Sequence, residues 1–361
     1  MEDLNYKIDI KVFYIIIIMS FIHKYQKISD KVSKYSLDKK DNKLFSNKSK
    51  WIVTEKVHGS NFSIYYMDGK IEFSKRNDIL KENEWFYNYQ LIKDKLIRNI
   101  KKISEFINHK NIILYGELFG GWYPENNKEW TGPENVRINT KGVSIVPFED
   151  RAIQEGIYYT PNIEYMVFDI GIVNNNEISF VDYNKMEECI KQTELFYSKP
   201  LMIGTFEKVQ QYNIEFNSTI PEQLGQLPLP KGTNIAEGIV IKPIDAHFVK
   251  DKDGNNIRCL IKIKNKKFLE VSDSFDMEEA NKSYKFILLK LINQNRFQAV
   301  ISKIGKLTEE NKDSVVNEYV EDVWTDFYQN FAHITISDYD KANEYVKQIA
   351  EILIKDNLYK V

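Results

Sequence analysis

Two cysteines in 361 residues, Cys189 and Cys259, are too few to staple a fold, and neither stands in a CxxC or Cys/His cluster. That excludes a disulfide scaffold and a cysteine-ligated structural zinc. It points to a reducing compartment, the cytoplasm first, with a mitochondrial location as the alternative. Charge of one sign is lacking too: 50 Lys and Arg against 52 Asp and Glu leave a net charge of −2. The chain is neither a basic nucleic-acid coat nor an acidic tail, although a nucleic-acid enzyme needs basic residues only where phosphates lie. No apolar run reaches the ~20 residues that span a bilayer, so no membrane partner is expected. The nearest, Val12 to Ile22, is too short, and no small-residue cleavage site follows it as a secretory signal requires. The preferred expectation is a start at Met19, with residues 1–18 a leader that the fold does not use. Glycine and proline are scarce and uneven. After residue 275 the only glycine is Gly305 and no proline occurs, which predicts an all-helical C-terminal part.

What is present is an ordinary globular balance, 43% hydrophobic and 28% charged, long enough for one large domain and a smaller one. Residues 51–75 alternate and are rich in β-branched and aromatic types. Asp68-Gly69 between Phe62–Tyr66 and Ile71–Phe73 predicts a hairpin. Apolar spacing predicts a helix over 84–108, a short strand at Ile112–Tyr115, a long loop over 121–150, a strand at Tyr165–Ile172 and a helix at Asp182–Thr193. Leu224–Thr233, with two Pro and two Gly, reads as an exposed connection. Strands follow at Gly238–Ile241 and Arg258–Ile263, with Asp253-Gly254 as the turn between them. Helices are expected at Met277–Asn293, Arg296–Ile304, Glu309–Gln329 and Asp338–Ile354. No internal repeat is found. The expected fold is α+β: a mixed antiparallel-sheet domain over 19–270 and a small helical domain over 271–361.

Five segments carry candidate chemistry, each at a strand edge or the turn beside it. In Glu55-Lys56-Val57-His58-Gly59-Ser60-Asn61, a lysine after a β-rich run and before a glycine turn can attack an α-phosphate once it is neutral. Alone, Lys56 reads as one of 50 basic residues on a solvated strand edge. Arg76 in Ser74-Lys75-Arg76 offers a phosphate-binding fork, or is a surface arginine. Glu117 in Tyr115-Gly116-Glu117-Leu118 stands before a glycine-rich stretch, suiting ribose hydroxyls, a metal, or merely a turn. In Ala236-Glu237-Gly238-Ile239-Val240-Ile241-Lys242, alternation puts Glu237 with Ile239 and Ile241, and Lys242 on the other face. Glu237 at the strand's start is a candidate metal ligand. Lys262 and Lys264 share a face, where like charges call for an anion, though alternating Lys/Ile also describes a plain half-buried strand. Together they supply a nucleophile, cations and carboxylates, the inventory of Mg²⁺-dependent phosphoryl or nucleotidyl transfer.

In this order the segments resemble the covalent nucleotidyltransferases, and most of all the second type of phage RNA ligase and the RNA-editing ligases. Glu55 to Phe62 matches the nucleotidyl motif in its His-Gly form. Tyr115 to Pro124, Gly156 to Pro161 and Tyr165 to Ile170 match the segments that follow, and Ala236 to Pro243 and Ile261 to Phe268 the last two. Asn293 to Gly305 resembles the family's helical appendage, where DNA ligases and capping enzymes carry a β-barrel. The resemblance, over roughly 19–310, implies ATP and Mg²⁺ (Mn²⁺ as an alternative) as cofactors and RNA as partner, as nicked duplex or bridged ends. It implies Lys56 as the adenylated lysine and His58 in the sealing step. Glu55 and Asn61 would contact AMP, Arg76 the ribose or the RNA end, and Glu117 the ribose. Phe168 would stack on adenine, Glu237 would bind metal, and Lys242, Lys262 and Lys264 would hold the α-phosphate. Residues 196–233 form a long variable stretch expected to touch no motif. The rival readings are a capping enzyme or DNA ligase, and a nucleic-acid-binding relative without catalysis. The six basic residues between Asn281 and Thr308 (Lys282, Lys285, Lys290, Arg296, Lys303, Lys306) predict either a surface that holds the RNA, not the ATP, or a helix packed on the core with solvated lysines.

Overall fold

The computed structural model describes residues 23–46, 48–82, 84–123, 136–139, 142–145, 152–154, 156–269, 284–332, 334–336 and 338–358. The leader 1–18, Met19 and the domain boundary at 270/271 lie outside the described residues. Seven strands frame the site: β1 Trp51–Glu55, β2 Ser60–Met67, β3 Lys70–Ser74, β4 Asn111–Trp122, β5 Thr160–Asn174, β6 Gly238–Pro243 and β7 Ile261–Lys264. Helix α1 spans Lys93–Ile107. At the C-terminal end stand α2 Tyr284–Leu291, α3 Gln294–Ile304, α4 Lys312–Phe331 and α5 Tyr339–Leu358.

The strands form two principal sheets. One is antiparallel, in the order Pro200–Gly204, β1, β6, β7. The other runs Phe196–Tyr197, β5, β4, β2, β3, with Glu177–Phe180 added to β5, and only the pairing of Phe196–Tyr197 with β5 is parallel. The α+β class follows as expected. Tyr66 pairs with Ile71 and Met67 with Lys70, so Asp68 and Gly69 form a two-residue turn with φ of 47° and 87°. Both signs are positive, as this hairpin class requires.

Four expectations need correction. The helix predicted over 84–108 begins only at Lys93, because Tyr87 and Asn88 adopt left-handed backbone with φ of 48° and 54°. Strand β4 runs through the glycines that read as the start of a loop, pairing with β5 as far as Trp122 opposite Thr160. Within 121–150 a hairpin pairs Val136–Asn139 with Gly142–Ile145. Asp253-Gly254 joins Phe248–Asp251 to Asn256–Arg258 in a small separate sheet with Tyr35–Ser36, rather than linking β6 to β7.

The C-terminal helices share a core with the second sheet. Ile287, Leu291, Phe297, Val300, Val323 and Phe327 belong to the same buried cluster as Phe62, Ile64 and Leu114. Each such side chain contributes roughly 1.5–3 kcal/mol on burial, so the docking of these helices is a substantial part of the fold. Tyr87 ties the two parts together, donating its hydroxyl to the Ile301 carbonyl at 2.8 Å. The mixed sheets with an all-helical C-terminal part match the architecture read from the sequence.

Candidate nucleotidyl-transfer site

A cleft of about 590 Å³ opens between the two sheets. From the first sheet it is lined by Lys56, Val240, Lys262 and Lys264, and from the second by Asn61, Glu117 and Phe168. Pairing explains the grouping. Val240 lies opposite both Thr54 and Lys262, and Gly238 opposite Lys264, so alternate residues of three neighbouring strands share one face. Asn61 pairs with Glu117 across β2 and β4. Between β4 and β5 the register passes from Asp169 to Val167, leaving Phe168 as the extra residue of a bulge, a device that re-aims a side chain.

Lys56 leaves β1 with its N–H bonded to the Gly238 carbonyl at 2.9 Å. Its ammonium reaches Glu237 Oε2 at 2.6 Å, Lys264 approaches the other carboxylate oxygen at 3.4 Å, and His58 Nδ1 stands 3.5 Å from Oε2. Strand parity predicts Glu237 on the Ile239/Ile241 face, yet the structure puts it with Lys56 and Lys264. Gly238 is the reason: its φ of 153° breaks the alternation, and a Cβ there would stand 2.1 Å from the Ile263 carbonyl oxygen. The turn after Lys56 is equally constrained. A Cβ on Gly59 would meet the Leu118 carbonyl oxygen at 2.1 Å and Glu117 Cγ at 3.0 Å. Glycine lets the nucleophile's loop lie directly against Glu117. The Tyr159 hydroxyl fixes the same loop by accepting the His58 N–H at 2.9 Å.

Three buried carboxylates here are shifted in different directions. Burial pushes Glu237 upward, but Lys56, Lys264 and His58 outweigh it and hold the acid well below the usual carboxylate range. Burial pushes Glu117 up to about 7; Lys56 pulls down, and the charge of Glu237 adds to the rise. Burial also pushes Glu55 up to about 7, against hydrogen bonds from Ser218 and Thr219. Glu55 Oε2 accepts from the Thr219 N–H at 2.8 Å and its hydroxyl at 2.9 Å. The stretch 196–233 therefore does touch a motif, contrary to expectation.

Lys56, His58, Glu237 and Lys264 thus form one cluster. Lys262, Asn61, Glu117, Phe168 and Arg76 line the same cleft, and burial lowers the pKa of Arg76. Lys242 lines the cleft too, two residues along β6 from Val240, which lies opposite Lys262. Its ammonium is buried on Asp169 Oδ1 at 3.2 Å and on the Phe168 carbonyl. Arg258 reaches the same Asp169 oxygen at 3.1 Å and the Tyr25 hydroxyl donates to Oδ2. The structure therefore brings Lys242 into the same cleft as Lys262 and Lys264, with its ammonium held by Asp169 and the Phe168 carbonyl. Asp169, Arg258, Tyr25 and Thr219 were missed. Asp169 sits inside the matched Tyr165–Ile170 segment, a signal that could have found it. Tyr25 and Thr219 lie 31 and 163 residues from Lys56, and sequence spacing carries no trace of such contacts.

Of the six basic residues over 281–308, Arg296 and Lys303 are held by acids of α4. Lys282 lies outside the described residues, as does the side chain of Lys285. Arg296 is fully buried, bonded to Asp322, Asp326 and the Leu291 carbonyl. Lys303 pairs with Glu318 at 3.0 Å and Asp322 at 2.6 Å. These helices also reach the cleft: Ser302, Lys303, Glu318 and Asp322 line it, and the Ser60 hydroxyl donates to the Ser302 carbonyl. Among the described residues no helix is long and apolar enough to cross a membrane. Both cysteines are buried free thiols.

Comparison with known proteins agrees with this geometry. A family model described as RNA ligase matches residues 49–264, and one described as T4 RNA ligase 2 C-terminal matches 274–352. The chain is similar to the mitochondrial RNA-editing ligase 1 of Trypanosoma brucei brucei, 28% identical over 65% of this chain and 53% of that protein. It is 31% identical to mitochondrial RNA-editing ligase 2 of the same organism, over 53% of this chain and 48% of that one. The chain spans about half the length of these curated relatives. Among solved structures, a variant of the Naegleria gruberi RNA ligase with ATP and Mn aligns with a TM-score of 0.42 at 17% identity, covering 70% of this chain and 58% of that one. With the model matched across every strand that frames the cleft, the chain belongs to the RNA ligase family.

Proposed function

We propose that this chain is an ATP-dependent RNA ligase that joins 3'-hydroxyl and 5'-phosphate ends, through AMP carried on Lys56. The observation that carries the reading is the Lys56–Glu237–Lys264 cluster, with Lys56, Lys264, Glu117, Phe168 and Val240 lining one cleft. Phe168 and Val240 are the apolar walls for the base, and Glu117 and Asn61 stand where a ribose would follow. Lys56 Nζ, once deprotonated, attacks the α-phosphorus; the N–P bond forms and the bond to pyrophosphate breaks. AMP then passes to a 5'-phosphate, and a 3'-hydroxyl displaces it. Lys262 and Lys264 carry charge on the α-phosphate in each displacement.

A divalent metal, Mg²⁺ or Mn²⁺, would neutralise phosphate charge there, with Glu237 as its protein ligand. Among the described residues no group of three or more His, Cys, Asp or Glu could hold a metal by itself. That suits Mg²⁺, which binds through one or two carboxylates and substrate phosphates. Nicked duplex RNA is the proposed substrate, with 19–270 as the adenylylation domain and 271–361 as the helical one. The helices that follow the last motif favour this over a capping enzyme or DNA ligase.

Incubation with α-labelled ATP tests the reading, followed by sealing of a nicked RNA duplex. The wild type takes up label and seals. Lys56→Ala takes up none while keeping its circular dichroism and melting temperature. Label that persists in the variant and maps to another lysine overturns the assignment.

A further inference from the structure

We propose that the acidic edge of α4 is an autoinhibitory contact: Glu318 and Glu321 face the cations of the cleft as internal competitors for the phosphates of RNA, which must outcompete them to be held. This rests on the ligase reading above. The cleft is lined by the cations Lys27, Lys56, Arg76, Lys262, Lys264 and Lys303. Yet its wall also carries Glu318, Glu321 and Asp322, three carboxylates from a single helix of the C-terminal part. Each repels a phosphate brought there, and more strongly in a cleft than in open water.

Pairing within the helices explains Asp322, which reaches both Arg296 and Lys303. It does not explain the other two. Glu318 takes Lys303 Nζ on Oε1 at 3.0 Å, although Asp322 already holds that ammonium at 2.6 Å. Its Oε2 accepts from Asn77 Nδ2 at 3.4 Å, the residue after Arg76. Glu321 is exposed into the cleft and makes no ion pair among the described residues. One turn on from Asp322, Asp326 reaches Lys27 at 3.5 Å. Burial lowers the pKa of Arg76, and the charges of Glu117, Glu318 and Asp322 act against that fall, as a phosphate would. Exchanging acid for phosphate requires side chains alone to move. Helix α4 is fixed, with Val315, Tyr319, Val323 and Phe327 buried in the core shared with the second sheet. The side chains of Lys303 and Lys27 are 23% and 50% exposed. A lone phosphate gains little by replacing a carboxylate already in place. A nicked duplex presents several phosphates together and releases counterions as it binds, so it overcomes a repulsion that a single anion does not.

The full chain tests this, without ATP, on a nicked RNA duplex that bears a 5'-phosphate and ends in a 3'-deoxy nucleotide, so that it binds and is not sealed. Fluorescence anisotropy gives the affinity across a range of KCl concentrations for the wild type, Glu321→Gln, Glu318→Gln and the double variant. Glu105→Gln, at an exposed acid of α1 that does not line the cleft, controls for net charge. Lysyl-AMP formation is measured in parallel. Removing a competitor tightens binding. Each cleft substitution is expected to lower Kd about two- to fivefold at low salt, the scale of an exposed charge interaction, and the gain fades as salt rises. Glu105→Gln leaves the affinity unchanged, and no variant slows lysyl-AMP formation. An acid that only supports the wall gives the opposite sign, because its loss loosens the site. Glu321→Gln decides the matter if Glu318→Gln does not fold. Unchanged or weaker binding in Glu321→Gln, slower lysyl-AMP formation in that variant, or an equal gain in Glu105→Gln overturns the inference and leaves the ligase reading standing. A wild type that forms no lysyl-AMP when given ATP overturns the ligase reading instead.

Discussion

Two pairs of buried acids divide the site. Glu55 and Glu117 are pushed up to about 7, whereas Glu237 and Asp169 are held below the ordinary carboxylate range. Burial acts on all four in the same direction and is the largest cause for each. What separates them is the partner. Glu237 has Lys56 and Lys264, and Asp169 has Arg258 and Lys242, at hydrogen-bonding or ion-pair distance. Glu55 meets the uncharged Ser218 and Thr219, and Glu117 feels Lys56 and Arg76 at a distance while Glu237 opposes them. The first pair can be neutral near physiological pH and donate a hydrogen bond; the second stays anionic and anchors cations. A charge at this site is therefore set by what the fold brings across the sheets rather than by depth.

The largest expected effects come from cutting the anionic pair. Asp169→Asn leaves Arg258 and Lys242 buried without their counter-charge and should cost about 3–5 kcal/mol of stability, read as a fall in denaturant midpoint. Glu237→Gln should cost less stability, because Lys56 and Lys264 are part-exposed at 22% and 14% and water takes up their charge. Its effect falls on lysyl-AMP formation. If both variants lose the same stability, the anchoring role is not confined to the Asp169 end.

Next is Lys264→Ala, which removes a cation from where α-phosphate charge develops. The expectation is a loss of roughly 3–4 kcal/mol of transition-state stabilisation, by analogy with oxyanion donors, seen in single-turnover adenylylation. Lys264 also holds Glu237 down in the resting protein. The variant should therefore let Glu237 take up a proton at a higher pH than in the wild type, which carbonyl-region infrared titration can follow. A near-normal adenylylation rate would reduce the lysine pair to a strand face.

Glu117→Gln sharpens the comparison through pH. The folded pKa of Glu117, about 7, exceeds that of an unfolded glutamate, so the folded state binds the proton more tightly. Its contribution is complete below about pH 4.5 and is lost as pH rises through about 7. Glu237 and Asp169 have the opposite slope, gaining stability above the unfolded value and losing it as pH falls. Between pH 4.5 and 7, Glu117→Gln should therefore gain on the wild type by roughly 1–3 kcal/mol, measured by urea unfolding across that window. A constant difference would mean that Glu117 is ionised throughout.

Much of this was legible in the chain. The Asp-Gly hairpin, the strand carrying Ile239 and Ile241, the Lys262/Lys264 face and the helical C-terminal part rest on local periodicity and turn chemistry, and they stand as read. What failed was nonlocal or backbone-dependent. Parity misplaced Glu237, because a periodicity argument does not anticipate the φ of Gly238. No periodicity argument shows that Asp169 and Arg258, brought together by β5 and a small separate sheet, hold the Lys242 ammonium. Within the basic run over 281–308, α4 supplies acids to Arg296 and Lys303 from 15 to 30 residues away, contacts that composition does not show. Composition counts charges; only the fold pairs them.

Thr219→Val is the mildest cut and bears on the neutral pair. The substitution keeps the β-branched shape and the backbone N–H at 2.8 Å from Glu55 Oε2, and it removes the hydroxyl that donates at 2.9 Å. That bond favours the ionised acid, so its loss should move Glu55 further upward from about 7. The stability cost should be about 1 kcal/mol, the ordinary net worth of a hydrogen bond. Thr219→Ser retains the donor and should restore both properties, which distinguishes the bond from the methyl packing. Adenylylation followed against pH provides the decisive readout. Glu55 adjoins the nucleophile, so a change in its charge should displace the acid limb of the profile towards higher pH in the valine variant and leave it in place in the serine variant. Profiles that coincide for all three proteins would show that the charge of Glu55 does not reach Lys56, leaving Glu117 alone as the titrating acid of the cleft.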